Sequence, residues 1–463
     1  MNQIKRFMLA GTKSGAGKTT ITCGILKLLI NSGYGVSSFK CGPDYIDPMF
    51  HGKVIGTRSG NLDSFFTGEE KLCELLYNNS KDTDISVIEG VMGYYDGMGF
   101  SDTASSYSVA AMTKTPVILI IDAKGISGSL GAIIKGFLTY KKESYIKGVI
   151  FNRLPQRLYE KARELAEALG VKACGYVPEL PEFSLKSRHL GLVTAEEIID
   201  LKETLNQLAD KLSKTIDLQE ILALAEEAPP IRVSESDISV HDKENIADEM
   251  GITLAVAQDE AFCFTYRDNL ELLKKLGAKL IPFSPIKDKA LPKGADGLLL
   301  CGGYPELYAR ELSENISMRK SIKVAVNGGM PTIAECGGFM YLHESLEDMN
   351  GASYPMAGFI KGRCFKTERL QRFGYLQLKG NEDSLVADKQ ELIKAHEFHY
   401  WDSDNCGKDF HAEKPNDTRE WECIHAGATY YAGFPHLYFY GNPSIAVRFM
   451  DKCSQYRTKR NVT

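Results

Sequence analysis

Short β-rich apolar runs recur along the chain with helical stretches between them, and this alternation leaves few folds open. In the first half RFMLAG, GVSSFKC, ISVIEG, PVILIIDA and IKGVIFN each run into a glycine-marked or polar turn. Near-continuous apolar strands separated by helices are buried on both faces, which is the pattern of a parallel α/β sheet. The rhythm breaks at AEEAPPIRVSESDISVHDKENIADEM, which is acidic, carries a Pro-Pro step and has no sustained apolar period. A second α/β rhythm then begins with ITLAVAQD, AKLIPFSP, DGLLLCGG and MPTIAEC and closes with HLYFYGNPSIAVRFMDKC. Because 463 residues exceed one ordinary domain, the expected organisation is a domain over 1–225, a linker over 226–250 and a domain over 251–463. No internal repeat relates the halves.

Composition narrows the classes. A net charge of −5 argues against a general binder of nucleic acid or of anionic membranes. No apolar run reaches the roughly 20 residues that span a bilayer, and MNQIKRFMLAG shows no cleavable signal pattern, so a cytoplasmic protein is expected. The eleven cysteines form no CxxC pair and are odd in number, so reduced thiols without a structural zinc site are expected.

After RFMLAG, the loop GTKSGAGKTT joins a predicted strand to a predicted helix. Gly15 and Gly17 let backbone amides curl around phosphate oxygens, Lys18 reaches the outer phosphates, and Thr19, followed by Thr20, is placed to hold Mg²⁺. A strict GxxxxGK[ST] pattern needs glycine where this chain has Thr12. From Lys13 onward, KSGAGKT resembles the deviant phosphate loop of the dethiobiotin-synthetase and partition-ATPase class. A Mg²⁺–nucleotide site also needs a carboxylate near that loop. Glu89 ends the apolar run of SVIEGVMGYYDG, Asp96 closes the same segment, and FKCGPDYIDP supplies Asp44 and Asp47. Thr19, Asp44 and Glu89 are the candidate metal ligands; Asp44, Asp47 and Asp96 are candidates for substrate binding. The alternative for the aspartates is the turn and cap role common beside Gly and Pro.

In MPTIAECGGFMYL a predicted strand runs into Cys336 and glycines follow at once, as in a nucleophile elbow. A helix N-terminus lowers a thiol pKa, and amides near Gly302, Gly303 and Gly337 are candidates to hold an oxyanion or glutamine. The general base expected for such a thiol is a histidine distant in sequence. His436 in AGFPHLYFYGNP is the first candidate, with His396 and His399 in AHEFHYWD as competitors. Burial in a core strand is the ordinary fate of cysteine, but the Glu-Cys-Gly-Gly setting and the GGYPE turn favour the nucleophile.

Taken together, FKCGPDYIDPMFH, VIEGVMGYYDG, SRHLGL, FSPIKD, GGYPELYA, AECGGFMYL and AHEFHY resemble, in order and over nearly the whole chain, the landmarks of the cobyrinic acid a,c-diamide synthase family. The resemblance implies ATP- and Mg²⁺-dependent amidation of the a and c acetate side chains of a corrinoid, with ammonia released from L-glutamine. It implies a dethiobiotin-synthetase-like P-loop domain followed by a class I glutamine amidotransferase-like α/β domain. Arg188 and His189 in SRHLGL become candidates to meet corrinoid carboxylates, with a surface salt bridge as the alternative for Arg188. Class I amidotransferases complete a triad with Glu two residues after the histidine, whereas Leu437 and Tyr438 follow His436 here. The site therefore reads as a Cys-His dyad, with any third acid supplied elsewhere. Ala395, where glycine is common in the family, and the residues before His436 also depart from the pattern.

Three rivals share parts of this reading. A nickel-sirohydrochlorin a,c-diamide synthase would carry the same motifs, and cobyric acid synthase would amidate other side chains but fits GPDYIDP and SRHLGL less well. A partition-type ATPase would use Lys13 and the loop as a dimerisation switch, in a homodimer, but has no use for Cys336.

Overall fold

The computed structural model describes residues 3–183, 195–233 and 251–462, and divides into two compact units, 1–235 and 236–463. Arg188 and His189 lie outside the described residues.

The first unit is built on a seven-stranded sheet of β1 (Arg6–Gly11), β2 (Val36–Cys41), β3 (Arg58–Leu62), β4 (Ile85–Glu89), β5 (Val117–Asp122), β6 (Ile146–Asn152) and β7 (Lys172–Val177). Their order is β3-β2-β4-β1-β5-β6-β7, with every pairing parallel. Each residue of β1, β2 and β4 is buried, as near-continuous apolar strands require when both faces are covered. On one face the helix Lys18–Asn31 packs Ile21, Ile25 and Leu29 into a core with Leu205, Leu208 and Leu212 of the helix Ala195–Leu212. Residues 226–231, inside the stretch expected to be linker, pack on this unit. Ile231 is buried, and the Pro229 carbonyl accepts from buried Arg6 at 2.8 Å. A buried guanidinium needs its donors satisfied, and Thr113 O, Thr115 Oγ1 and Ile4 O also accept from it, at 2.7, 3.1 and 3.1 Å.

The second unit contains β8 (Thr253–Ala257), β9 (Phe262–Phe264), β10 (Lys279–Phe283), β11 (Gly297–Leu300), β12 (Gly302–Gly303), β13 (Thr332–Glu335), β14 (His343–Glu347), β15 (Ser353–Pro355), β16 (Ile360–Gly380), β17 (Leu392–Ser403), β18 (Phe410–Glu413), β19 (Glu420–Cys423), β20 (His425–Ala426), β21 (Tyr430–Gly433) and β22 (His436–Leu437). A six-stranded sheet runs β10-β8-β11-β13-β21-β20 and is parallel except at the β20 edge. A separate, mostly antiparallel sheet runs β15-β14-β16-β17-β22 and carries the long β16–β17 arm, with β18 and β19 beside it. HLYFYGNPSIAVRFMDKC, the close of the second rhythm, is mostly the helix Ser444–Val462, entered through Pro443. Among the described residues no helix is long and apolar enough to cross a membrane.

Candidate functional site

The order of the first sheet reverses around β1, and ligands of open parallel sheets bind at the carboxyl ends of strands at such a point. The phosphate loop leaves β1 there. Gly15 and Gly17 have φ of +73° and +99°, backbone that only glycine adopts without strain. A Cβ on Gly17 would lie 2.2 Å from Asn152 Nδ2, and that amide donates to Ala16 O at 2.8 Å. Asn152, at the end of β6, thus pins the loop and was not singled out from the sequence. Lys18 and Thr19 open the helix, with the half-buried Thr20 in the same turn.

Sheet register supplies the rest. Leu9 pairs with Glu89 and Lys40 pairs with Glu89, so the ends of β1, β4 and β2 lie side by side. Glu89 Oε1 accepts from Thr19 Oγ1 and from Lys40 Nζ, each at 2.9 Å, and Lys40 reaches Asp47 Oδ2 at 2.5 Å. His51 Nε2 stands 3.4 Å from Glu89 Oε2. Lys40, Asp47, His51 and Glu89 are all buried. Burial alone would strip Lys40 of its proton, but Glu89, Asp47 and Asp44 hold its pKa well above the ordinary lysine value. Burial raises Glu89 against the pull of Lys40. In Asp47 burial is outweighed by Lys40, and the carboxyl falls below the usual range. Burial and the charge of Asp47 push Asp44 up to about 6. Burial drives His51 down to about 4, and burial with Lys40 lowers Lys18 to about 8.

Of the expected ligand set of Thr19, Asp44 and Glu89, a hydrogen bond joins Thr19 to Glu89, and Asp44 is engaged within its own turn. Asp44 Oδ1 accepts from Ile46 N at 2.8 Å, starting the short helix Ile46–Phe50, and Lys40 stands between Asp47 and Glu89. Thr19 and Glu89 do fit Mg²⁺. Both offer oxygen, they are adjacent, and Glu89 Oε2 is a buried oxygen without a hydrogen bond. Mg²⁺ commonly takes one or two protein ligands and draws the rest from water and phosphate. Asp96, expected at substrate, accepts from Gly93 N at 2.9 Å within its own loop. Lys18 Nζ donates to Met92 O in that same loop. Lys13 pairs with Asp122 at the end of β5, at 3.2 Å. Burial would raise the Asp122 carboxyl, but hydrogen bonds from Arg153 and Lys13 bring it below the usual range. Lys40, His51, Asn152 and Asp122 escaped the sequence reading, although Lys40 and Asp122 each stand at the end of an apolar run, where a polar residue signals a site.

In the second unit Cys336 sits between β13 and the helix Gly337–Leu342 with φ 47° and ψ −100°, a strained turn for a residue with a side chain. Neighbouring backbone holds it there. Cys336 N donates to Gly433 O at 2.8 Å, and Met340 N closes on Cys336 O at 2.9 Å. The glycines are steric requirements. A Cβ on Gly338 would lie 2.1 Å from Leu300 O, and one on Gly337 would lie 3.0 Å from Gly303 N and 3.4 Å from Gly302 C. On its other side Gly302 meets the imidazole, since its Cβ would fall 2.6 Å from His436 Cε1. Gly302 therefore packs close to both the elbow glycine Gly337 and His436.

Of the competing histidines, His399 is engaged elsewhere. His399 stacks on Phe434 at 3.8 Å, with Nε2 on Glu397 at 2.7 Å and Nδ1 on Trp401 O at 2.5 Å. His396 pairs across the sheet with His436 and is held neutral, at about 3, by burial and by His436 itself. The expectation that the helix N-terminus lowers the thiol is overturned. Burial raises Cys336 far above the ordinary thiol value, Glu306 and Glu397 add to it, and the Gly337 amide opposes only weakly. A six-residue helix cannot outweigh complete desolvation.

Comparisons with known proteins cover both units. Residues 7–193 match the CobQ/CobB/MinD/ParA nucleotide binding domain family, and residues 253–442 match the CobB/CobQ-like glutamine amidotransferase domain family. The chain is 39% identical over 457 residues to a cobyrinate a,c-diamide synthase of Caldanaerobacter subterraneus subsp. tengcongensis, covering 98% of this chain and 99% of that one. It is 40% identical over 459 residues to the enzyme of that name from Fusobacterium nucleatum subsp. nucleatum, covering 95% and 98%. With the one from Thermoplasma volcanium it shares 35% over 468 residues, covering all of both chains.

Proposed function

The chain belongs to the cobyrinate a,c-diamide synthase family, glutamine-dependent amidoligases, and from that premise we propose that it amidates the a and c carboxylates of cobyrinate or hydrogenobyrinate. The observation that carries this reading is the presence in one chain of a phosphate loop whose Thr19 bonds Glu89 and of a cysteine elbow whose Gly337 packs on the Gly302–Gly303 backbone, with Gly302 against His436. A carboxylate is a poor electrophile and ammonia is mostly protonated in neutral water, so each difficulty has its own site.

In the first unit a substrate carboxylate oxygen attacks the γ-phosphorus of ATP, ADP leaves, and an acyl phosphate remains. Lys18 bears on the developing phosphate charge from the mouth of the loop, and the amides around Gly15 and Gly17 cradle the remainder. Thr19 and Glu89 would hold Mg²⁺, which when bound neutralises phosphate oxygens. Lys13 pairs with Asp122 of its own chain. In the second unit the Cys336 sulfur attacks the side-chain amide carbon of glutamine while His436 takes the thiol proton and passes it to the departing nitrogen. Ammonia leaves, a thioester remains, and water releases glutamate from it. Amides near Gly303 and Gly337 meet the oxyanion. Ammonia then displaces phosphate from the acyl phosphate to give the amide.

Turnover of the purified chain with ATP, Mg²⁺ and either glutamine or ammonium tests this reading. Cobyrinate, hydrogenobyrinate and nickel-sirohydrochlorin are offered in parallel. Diamide product from the corrinoids supports it; product from nickel-sirohydrochlorin alone replaces the substrate.

A further inference from the structure

Class I amidotransferases hold the catalytic histidine with a glutamate two residues after it, and here that position is Tyr438. Its hydroxyl donates to Asp268 Oδ2 at 3.0 Å, away from any imidazole role. The histidine nevertheless meets a carboxylate. Glu335, the last residue of β13 and the one before the nucleophile, places Oε2 3.6 Å from His436 Nδ1. Its other oxygen accepts from Leu437 N at 2.9 Å. We propose that Glu335 is the third member of the glutamine-hydrolysing site, a positioning residue that orients His436 and stabilises its imidazolium. The inference rests on reading Cys336 and His436 as the hydrolytic pair.

Backbone geometry makes this possible. β13 pairs with β21 so that Glu335 lies opposite Gly433, three residues before His436. The chain beyond is clamped. Leu437 O accepts from Asn269 Nδ2 at 2.8 Å, and Phe439 N donates to Asn269 Oδ1 at 2.8 Å. With Leu437 N held by Glu335, the backbone that carries the imidazole has little freedom. The ring then presents Nδ1 to Glu335 while Cε1 lies over Gly302, with Nε2 3.5 Å from the place of a Gly302 Cβ. At 3.6 Å the Glu335 contact is an ion-pair separation beyond hydrogen-bond length, and it strengthens when the ring takes up the thiol proton. The nearby Glu397 is engaged by His399 at 2.7 Å and by Arg372 at 3.3 Å.

Such an acid has a sequence address unlike that of the usual triad. One strand end supplies both nucleophile and orienting carboxylate, so the glutamate is adjacent to the cysteine in sequence rather than to the histidine. Loss of the orienting acid in other triads costs on the order of 10⁴-fold in turnover. Because Glu335 also holds backbone, the informative variant is Glu335→Gln, whose amide oxygen still accepts from Leu437 N.

The full-length chain is assayed for glutaminase kcat and KM from pH 5.5 to 9.5, for ammonium-driven amidation, and for inactivation by iodoacetamide. Cys336→Ala runs alongside. Glu335→Gln should lower glutaminase kcat by about 100-fold or more, leave ammonium-driven amidation within about twofold, and leave the KM for glutamine within about threefold, since an orienting acid acts on turnover rather than on substrate binding. Unchanged glutaminase kcat overturns the proposal. So does equal loss of both activities with a lowered Tm, which makes Glu335 a structural strut. If Cys336→Ala itself retains glutaminase activity, the Cys-His reading fails first, and that result is distinct from the others.

Discussion

The reactive residues of the first unit are wired together by charge, and those of the second are held by backbone shape. Lys40 lies 2.9 Å from Glu89 and 2.5 Å from Asp47 in a buried cluster whose members set one another's protonation. Cys336 has no such partner charge. Its turn is enforced by Gly338 against Leu300 and by hydrogen bonds to Gly433 and Met340, and its thiol is kept neutral by burial. The difference follows from what each site must receive. A site for phosphates needs compensating charge in place before a polyanion arrives, whereas a site for neutral glutamine needs shape and a base that moves one proton. Changes of charge should therefore damage the first unit, whereas the second, apart from the Glu335–His436 contact, should be damaged by changes of shape.

The largest expected effect comes from Lys18→Ala. The lysine acts on phosphate, so amidation should fall on the order of 10³-fold with glutamine and with ammonium alike, while glutamine hydrolysis measured without corrinoid persists. Product formation and glutamate release are followed in the same samples. Loss of glutamate release as well would show that the units are not chemically separable. Cys336→Ala should give the complementary pattern, with glutamine-driven amidation lost and ammonium-driven amidation kept. The latter rate should rise with pH because free NH₃ is the nucleophile. If both nitrogen sources fail in a folded variant that still binds ATP, Cys336 also serves the synthetase site.

A purely steric change sharpens the contrast further. Gly302→Ala would bring a methyl 2.6 Å from His436 Cε1, so the ring or the loop must move. Glutaminase activity should drop by about 10²-fold, since small misplacements of catalytic groups cost that much, with stability lowered by about 1–3 kcal/mol. Ammonium-driven turnover should stay near the parent value. Steady-state kinetics with each nitrogen source and thermal denaturation check it; unchanged glutaminase would mean that His436 is not held against Gly302.

The same contrast explains what was legible beforehand. The elbow was visible because shape is written locally. Glu335, Cys336, Gly337 and Gly338 are consecutive, and the GGYPE turn announces its own glycines. Five strands of the first sheet, β1, β2, β4, β5 and β6, were visible because burial on both faces leaves apolar runs, whereas β3 and β7 were not singled out. The charge cluster was only half visible, since Lys40 and Glu89 are 49 residues apart and meet through parallel register. Its acids stood at marked turns, but nothing local to Lys40 or His51 says that either faces Glu89. The β16–β17 arm hid for another reason. Its register shifts around Gln371, and Arg372 takes a φ of 42°, which breaks the period-two pattern that identifies a strand.

The smallest expected effect concerns Glu306, the one acid beside the elbow whose protonation is set by burial rather than by a partner charge. Burial raises its carboxyl to about 8, and it is named among the causes that raise the Cys336 thiol. A carboxyl that keeps its proton in the folded state contributes stability that is complete below the ordinary carboxylate pKa and is lost as pH rises through about 8. Glu306→Gln carries no proton to lose, so its Tm relative to the parent should climb between pH 5 and 9, at about 2–4 °C per kcal/mol. Below pH 7 glutaminase should change little, because a neutral acid is exchanged for a neutral amide. At pH 9 the ionised glutamate of the parent opposes the thiolate, so the variant's Cys336 should react faster with iodoacetamide. Differential scanning across that pH range and alkylation of Cys336, against the Cys336→Ala background, measure both. A Tm difference that stays flat from pH 5 to 9 would mean that Glu306 is already charged at neutral pH. The thiol would then sit among charges as Lys40 does, and the distinction between a site held by charge and a site held by shape would fail where it is closest to the chemistry.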